Sequence, residues 1–165
     1  MRRISALGPV FVMFGFIAGL SAGDATGQAG PGSDTAKRFL GTWRLVSITA
    51  DGKTDPKRGL HPTGLIHYDA NGYMAVQIMP DRVRPTFAGA EPTPDEAKTA
   101  IIGYTAYFGT YTLNEKAGTV THHRTGNINP GGLGDFVRRY EFAPDGRLIL
   151  RPTENMNALT WERIQ

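Results

Sequence analysis

Residues 104–125 read Tyr-Thr-Ala-Tyr-Phe-Gly-Thr-Tyr-Thr-Leu-Asn-Glu-Lys-Ala-Gly-Thr-Val-Thr-His-His-Arg-Thr, and this stretch decides the fold. Aromatic and β-branched residues dominate both halves, and Lys116, Ala117 and Gly118 separate them. This pattern predicts two long strands that fold back on each other as a hairpin. We expect these strands, over residues 104–115 and 119–125, to form the middle of an antiparallel barrel.

Two further connections repeat the chemistry of this turn. Residues 70–72 and 144–146 also place glycine third in a three-residue loop between alternating segments. Glycine adopts the left-handed conformation that ends such a loop without steric cost, so each glycine fixes the register of its hairpin. The predicted facing pairs are Tyr68 with Met74, Ile66 with Val76, Thr112 with His122, Phe142 with Leu148 and Tyr140 with Leu150.

The whole sequence predicts an all-β fold with eight strands. Eight strands joined by short turns are typical of a closed up-and-down antiparallel β-barrel, which leaves no exposed sheet edge. A short helix capped by Ser33 or Asp34 should precede the barrel and run to Leu40. A second helix, beginning at Thr93-Pro94 between strands three and four, should cover one mouth. The strands are expected over residues 42–49, 62–69, 73–79, 104–115, 119–125, 135–143, 147–152 and 158–164.

The first 23 residues have the features of a secretory signal peptide. Arg2 and Arg3 give a positive start, residues 6–20 are almost uninterruptedly apolar, and residues 21–23 are small. The apolar run is shorter than the roughly 20 residues of a membrane-spanning helix, so a cleaved signal fits better than an anchor. We therefore predict a flexible leader over residues 24–33, one barrel domain over residues 34–165, and a periplasmic or secreted protein without a membrane span after cleavage.

The composition excludes several classes of function. Without Arg2 and Arg3 the 18 lysines and arginines fall to 16, against 15 acidic residues, so a nucleic-acid partner is not expected. Cysteine is absent, which rules out disulfides, thiolate metal sites and a cysteine nucleophile. The adjacent His122 and His123 would point to opposite faces of a strand, so no metal site is predicted. The sequence has no phosphate loop or dinucleotide fingerprint, and no cofactor is expected.

Arg138 is the exception on an otherwise apolar inward face. In the sixth strand Phe136, Arg138, Tyr140 and Phe142 alternate with a more polar set, so they are predicted to point into the barrel. An inward arginine needs an internal carboxylate, an anionic or carbonyl-bearing ligand, or water at the mouth. Acidic residues are scarce on the inward faces, which favours the ligand over an internal pair. A solvated arginine at the mouth stays open as the alternative.

His122 is predicted to point inward from the fifth strand, because Val120 on the same face is apolar. Its pairing with Thr112 would place Phe108 beside it. An inward histidine either completes the barrel wall or acts as a general acid and base. The opposite face of this hairpin is also aromatic and stays an alternative; its members are Tyr107, Tyr111 and His123.

The second and third strands contribute an apolar inward face with one phenol. Tyr68 needs a hydrogen-bond partner when buried and could bind a ligand oxygen. Met74 is flexible and polarizable and could adapt to a bulky ligand, although plain core packing explains it more simply. The ligand-binding candidates of the whole barrel are Tyr68, Met74, Phe108, Tyr111, His122, Arg138 and Tyr140.

Characteristic motifs are spread along the chain. They include Gly-Thr-Trp-Arg-Leu-Val at residues 41–46, Tyr-Asp-Ala-Asn-Gly-Tyr-Met at 68–74 and Thr-Trp-Glu-Arg at 160–163. Together they resemble the lipocalin-like domain family of small bacterial and fungal proteins and, more loosely, the lipocalins. The resemblance implies an eight-stranded barrel around a cavity for a small apolar molecule, with no catalytic residue to carry over. It also implies that Arg163 covers Trp43 and seals the barrel floor as a structural pair.

We therefore expect an exported binding protein that holds a small hydrophobic molecule with a polar or anionic end. The alternative is an isomerase or cyclase in which the same cavity folds a substrate and His122 or a tyrosine moves a proton. A structural or interaction role for the outer surface is the third possibility. Replacing His122 by alanine would weaken a binding protein modestly, whereas it would slow turnover of an enzyme roughly 10²–10⁴-fold.

Overall fold

The computed structural model describes residues 32–50, 53–155 and 157–165. The predicted signal peptide and nearly all of the predicted leader lie outside these residues. None of the described helices has the length and apolar character needed to cross a membrane. The elements are α1 (Asp34–Phe39), β1 (Gly41–Ala50), β2 (Lys53–Thr54), β3 (Thr63–Tyr68), β4 (Tyr73–Met79), α2 (Pro94–Ile101), β5 (Thr105–Asn114), β6 (Thr119–Asn127), β7 (Gly134–Phe142), β8 (Leu148–Pro152) and β9 (Ala158–Arg163).

Eight of these strands close into an antiparallel barrel, which confirms the predicted fold class. Each strand from β3 to β9 pairs with its neighbour in the chain, and β1 pairs with both β3 and β9. The pairing of β1 with β9 runs from Trp43 opposite Arg163 to Thr49 opposite Ala158 and removes the free edges of the sheet. The two-residue strand β2, which the sequence pattern did not indicate, pairs with the end of β1.

The glycine turns predict two of the three hairpin registers correctly. Tyr68 faces Met74 in the first hairpin and Phe142 faces Leu148 in the third, and the second predicted pair of each hairpin also forms. The glycines that end these two loops have positive φ angles of 86° and 84°. Only glycine adopts this conformation without a steric penalty, so these loops keep the length that the sequence indicated.

The middle hairpin differs from its prediction by one residue. His122 faces Tyr111 and not Thr112, because the loop has four residues, 115–118, instead of three. The side chain of Asn114 closes this loop, its Oδ1 accepting a hydrogen bond from the Ala117 N–H at 3.0 Å. A slip of one residue turns the other face of a strand inward. The inward residues of β5 are therefore Tyr107, Gly109, Tyr111 and Leu113 rather than Ala106, Phe108 and Thr110.

Helix α1 plugs one end of the barrel. Ser33 caps the helix, and its Oγ accepts a hydrogen bond from the Ala36 N–H at 3.0 Å. Phe39 in the last turn is fully buried and packs edge-to-face on three rings, with centroids 5.1 to 5.3 Å apart. Apolar packing therefore closes this end of the barrel. The three rings belong to Tyr68, Tyr140 and Phe142.

Arg163 ties β9 to the same closed end. Its guanidinium carbon lies 4.1 Å from the centre of the Trp43 ring, the contact that the lipocalin resemblance implied. The same guanidinium donates hydrogen bonds to the carbonyl oxygens of Arg38 and Leu40, where α1 ends. The Trp43 indole N–H donates to the Phe39 carbonyl oxygen at 2.8 Å. The helix, the first strand and the last strand thus form one floor.

Helix α2 lies toward the opposite end, in the connection between β4 and β5. Thr93 and Glu96 form the capping box that begins it, as the Thr-Pro-Asp-Glu motif predicted. None of its side chains is buried, and none lines the cavity described below. Helix α2 therefore contributes no side chain to the cavity lining, and its cover of the mouth stays a prediction.

Candidate functional site

A cavity of about 370 Å³ opens at the end of the barrel opposite α1. Its walls are apolar side chains of β3, β4, β8 and β9, namely Ile66, Val76, Ile78, Leu150 and Leu159. The connections between strands build a polar rim around the opening. Small-molecule sites have volumes of about 300–1,000 Å³, so the cavity can hold one small ligand. Rim residues include Arg58, Asn127, Asn129, Asn155 and Asn157.

Arg138 is buried in the wall of this cavity without a hydrogen-bond partner among the described residues. The side chain lies on β7, is 7% exposed and lines the cavity. Its guanidinium carbon lies 4.3 Å from the centre of the Phe136 ring, on which it stacks. The enclosed Nε and Nη1 atoms bond to no other described residue. No ion pair among the described residues includes Arg138, so an internal carboxylate does not neutralise it.

Two more guanidinium groups line the cavity. Arg58 donates to Asp55 at 3.1 Å and to the Thr105 hydroxyl at 2.8 Å, whereas Arg124 donates to the Gly134 carbonyl oxygen at 3.1 Å. Asp55 is the one carboxylate among the described residues of the lining. Three positive groups thus face one negative group, which makes the cavity attractive to anions.

His122 lies next to the cavity and is bonded at both ring nitrogens. Its Nε2 is 2.8 Å from the Tyr68 hydroxyl oxygen, and its Nδ1 is 2.9 Å from the Tyr107 hydroxyl oxygen. His122 and Tyr68 are fully buried, whereas Tyr107 lines the cavity. The three side chains come from β6, β3 and β5, so they meet only because the barrel closes.

Burial keeps His122 and Tyr68 of this cluster uncharged at neutral pH. Burial, together with the Arg138 and Arg124 guanidinium groups, holds the pKa of His122 well below its usual range. Burial also raises the pKa of Tyr68 well above its usual value. A neutral imidazole has one N–H donor and one acceptor nitrogen. One tyrosine must therefore donate to His122 and the other must accept from it.

Three further ligand candidates lie inside the barrel but toward its closed end. Met74 is buried, and Tyr140 packs on the Phe39 ring. Tyr111 is half-buried and donates to the Asp69 carbonyl oxygen at 3.0 Å, and burial raises its pKa. None of these three residues lines the cavity of about 370 Å³. Their contact with a ligand stays a prediction.

Phe108 lies outside the barrel, so its predicted inward orientation is wrong. The side chain is 60% exposed and covers Gly126 of β6, where a Cβ atom would lie 2.3 Å from the ring. The four-residue loop is the cause, because it turns Tyr107 inward in place of Phe108. Asn114 before the turn is the signal that could have revealed the longer loop. The cavity residues that the candidate set lacked include Arg58, Tyr107, Arg124, Phe136 and Trp161.

Two of the other histidines bond on the outer face of the barrel. His123 places Nδ1 2.6 Å from Asp135 Oδ1 and Nε2 2.9 Å from the Thr112 hydroxyl oxygen. His67 Nδ1 lies 3.0 Å from the Thr42 hydroxyl oxygen. Within the described ranges, no group of three or more histidine, aspartate and glutamate side chains is arranged to hold a metal ion.

Comparison with known families agrees with this architecture. The family described as a lipocalin-like domain matches residues 40–165, a segment that contains every barrel strand. The comparisons with curated proteins and with solved structures gave no match. The match covers more than half of the chain, and the barrel closes in the way that the family resemblance implied. The chain therefore belongs to the lipocalin-like domain family.

Proposed function

We propose that this protein binds a small, largely apolar molecule with a polar or anionic end inside the barrel. The lipocalin-like fold suggests small-molecule binding, and the cavity of about 370 Å³ has room for one such molecule. The apolar walls would cover its hydrocarbon part. The three guanidinium groups of the lining would meet its polar end.

Arg138 is the observation that carries this proposal. Burial of a charged group without a partner costs several kcal/mol, and stacking on Phe136 offsets only about 0.5–2 kcal/mol of that cost. An anionic or carbonyl oxygen of a ligand would supply the missing acceptor, with hydrogen bonds worth about 1.5–3 kcal/mol each. Sequences break the rules of stable packing mainly at functional sites, so the unpaired arginine supports a binding role.

The same observations favour binding over catalysis by His122. An isomerase or cyclase would need a group that exchanges protons with the bound molecule near neutral pH. His122 does not line the cavity, and both of its ring nitrogens are already bonded to tyrosines. Its pKa lies well below the usual range because of burial, and burial raises the pKa of Tyr68. Neither group is suited to that exchange.

We also propose that the protein is exported and acts in the periplasm or outside the cell. The support is the positive start, the apolar run and the small residues within positions 1–23. Mass spectrometry of the mature N terminus tests this proposal. Cleavage near residues 21–23 is expected, and a mature chain that still begins at Met1 would contradict it.

Titration with the fluorescent probe anilinonaphthalene sulfonate tests the binding function. This probe joins apolar rings to an anionic group and brightens in an apolar site. We expect saturable binding, with an affinity about 10- to 100-fold weaker in Arg138→Met, because methionine lacks the charge-assisted hydrogen bonds. Arg139→Met makes the same change on the exposed face of β7 and should bind the probe like the wild type.

The thermal midpoint of each variant separates lost binding from lost folding. Arg138→Met should fold at least as stably as the wild type, because it removes a buried unpaired charge. Equal probe affinities of the two variants, or no saturable binding, would contradict the proposed function. Native mass spectrometry of the protein purified from its own compartment would identify the natural molecule.

A further inference from the structure

The hydrogen bonds of His122 determine what the cavity offers to a ligand. We infer that His122 is a positioning residue that aims the Tyr107 O–H into the cavity, and that the natural ligand is a carboxylate bound as its anion. The inference rests on the binding function proposed above and names its substrate class. It follows from the hydrogen bonds of Tyr68 and Tyr107 and from the hydrogen-bond donors and acceptors of the cavity lining.

Tyr68 decides which nitrogen of His122 carries the hydrogen. The side chain is completely enclosed, and His122 Nε2, at 2.8 Å, is the single partner that the described residues offer its hydroxyl. A buried hydroxyl hydrogen without an acceptor is unfavourable, so the Tyr68 O–H donates to Nε2. Because the imidazole is neutral, its own hydrogen is then on Nδ1.

This tautomer makes Tyr107 an acceptor toward His122. The Nδ1–H donates to the Tyr107 oxygen at 2.9 Å, which leaves the hydrogen of that hydroxyl free. No described residue provides an acceptor for this hydrogen, and Tyr107 is the member of the cluster that lines the cavity. The Tyr107 hydroxyl therefore donates toward the cavity, in a direction that His122 fixes.

Donors and acceptors around the cavity are unequally occupied. The Arg138 guanidinium and the Trp161 indole N–H, both from residues of the lining, have no acceptor among the described residues. Four side-chain oxygens of the lining, in contrast, already accept hydrogen bonds within the protein, whereas those of Asn129 and Asn157 accept none from the described residues. A ligand must supply acceptors to satisfy the two enclosed donor groups, Arg138 and Trp161. The occupied oxygens belong to Asp55, Thr105, Asn127 and Asn155.

A carboxylate matches this set of donors better than other head groups. When ionised it has two acceptor oxygens and no donor, and its plane suits pairing with a guanidinium. A neutral carbonyl or an alcohol would leave the charge of Arg138 uncompensated. An ammonium would be repelled by the three cationic side chains of the lining.

Nitrogen-15 NMR of the histidine rings tests the tautomer without any ligand. We expect one histidine, whose signals disappear in His122→Gln, to carry its hydrogen on Nδ1 at neutral pH. An Nε2-protonated or doubly protonated His122 would overturn the inference. Such a result would leave the proposed binding function in place.

Competition against anilinonaphthalene sulfonate tests the head group. Naphthylacetate, naphthylethanol and naphthylethylamine share the ring of the probe and differ in their polar end. We expect naphthylacetate to compete at least about tenfold better than the alcohol and the amine, because only it brings a negative charge to the Arg138 guanidinium. Equal competition by either one would overturn the carboxylate assignment. Failure of the probe itself to bind would count against the proposed function instead.

Removal of single hydroxyls tests the positioning role. Tyr107→Phe removes the hydroxyl that donates into the cavity. Tyr68→Phe removes the donor to Nε2, so the His122 hydrogen is free to move from Nδ1 to Nε2. Each variant should weaken naphthylacetate binding roughly tenfold and weaken naphthylethanol binding less, because a neutral hydroxyl accepts a weaker hydrogen bond than a carboxylate. Tyr73→Phe is the matched control, because its side chain is 61% exposed and does not line the cavity. If Tyr68→Phe weakened both compounds alike, the role of His122 would be structural and the inference would fail.

Discussion

Inside the barrel, Arg138 keeps its positive charge, whereas burial keeps His122 neutral. The guanidinium does not release its proton in proteins, so the low-polarity interior can only stack it on Phe136. The imidazole can release its proton, and it then forms one hydrogen bond to each of two phenols, Tyr68 and Tyr107. Arg138 therefore places a positive charge beside a neutral hydrogen-bond network, and this charge is the point at which an anion would be bound.

The neutral state of His122 predicts that the protein loses stability as the pH falls. Because the folded pKa is depressed, mainly the unfolded chain takes up the proton below about pH 6.5, so this stabilisation is complete above that pH and declines below it. The charged groups that lower its pKa, Arg138 and Arg124, are both positive, and phenols occupy its two nitrogens. The depression therefore persists through mildly acidic pH.

Urea unfolding of the wild type and of His122→Gln measures this effect. Between about pH 7.5 and about pH 5, the free energy of unfolding should fall by up to about 2 kcal/mol more in the wild type. His61→Gln changes an exposed histidine and should keep the wild-type dependence. The same pH dependence in His122→Gln as in the wild type would contradict the depressed pKa.

The hairpin of β5 and β6 contains a bulge that requires glycine. Phe108 faces Gly126 while Gly109 faces Arg124, so Thr125 is the extra residue of β6. The bulge brings the β6 backbone close to Gly109, where an added Cβ atom would lie 2.0 Å from the His123 carbonyl oxygen. A side chain at position 109 would therefore push the two strands apart.

Gly109→Ala should destabilise the barrel by about 2–4 kcal/mol, because the added atom meets backbone that is fixed by strand pairing. Gly131→Ala adds the same atom where nothing lies within 4 Å, and it should change stability by less than about 0.5 kcal/mol. Urea unfolding compares the two variants. Equal stabilities would mean that β6 does not approach β5 in this way.

Loop length explains which hairpin registers could be predicted from sequence. The loops at residues 70–72 and 144–146 have the length that their glycines indicate. The middle loop gains a residue because the Asn114 side chain bonds to the Ala117 N–H. Alternation could not reveal this, since both faces of β5 carry aromatic residues. Tyr107 and Phe108 exchanged their predicted faces for this reason alone.

The interior position of single site residues could be predicted from the sequence, but the contacts between these residues could not. Alternation within single strands placed Tyr68, His122 and Arg138 in the interior, where the structure also places them. The contact of His122 with two tyrosines joins three strands and depends on registers that no local pattern contains. The Trp161 N–H, which has no acceptor among the described residues, is likewise enclosed only once β8 and β9 pair.

The molecule has a closed end and an open end. Helix α1 and the Trp43 and Arg163 pair form the floor, and the cavity opens between the connections at the other end. The floor residues do not line the cavity, and the cavity residues do not join α1 to the barrel. Changes in the floor should therefore affect the stability of the whole fold and leave ligand binding intact.

Arg163→Ala should lower the free energy of unfolding by about 1–2 kcal/mol, because it removes the stacking on Trp43 and the bonds to two carbonyl oxygens of α1 and its C-cap. Arg44→Ala breaks an ion pair with Glu162 at the surface and should cost less than about 1 kcal/mol. Both should keep the probe affinity of the wild type. A larger loss in Arg44→Ala would show that the barrel is closed by other contacts.

Arg38 and Arg163 lie side by side at the floor, because α1 ends there and β9 finishes there. A protein immobilised on a solid support through this floor would hold the entrance of its cavity toward the bulk solution. A biosensor built in this orientation could take up its analyte unhindered by the support.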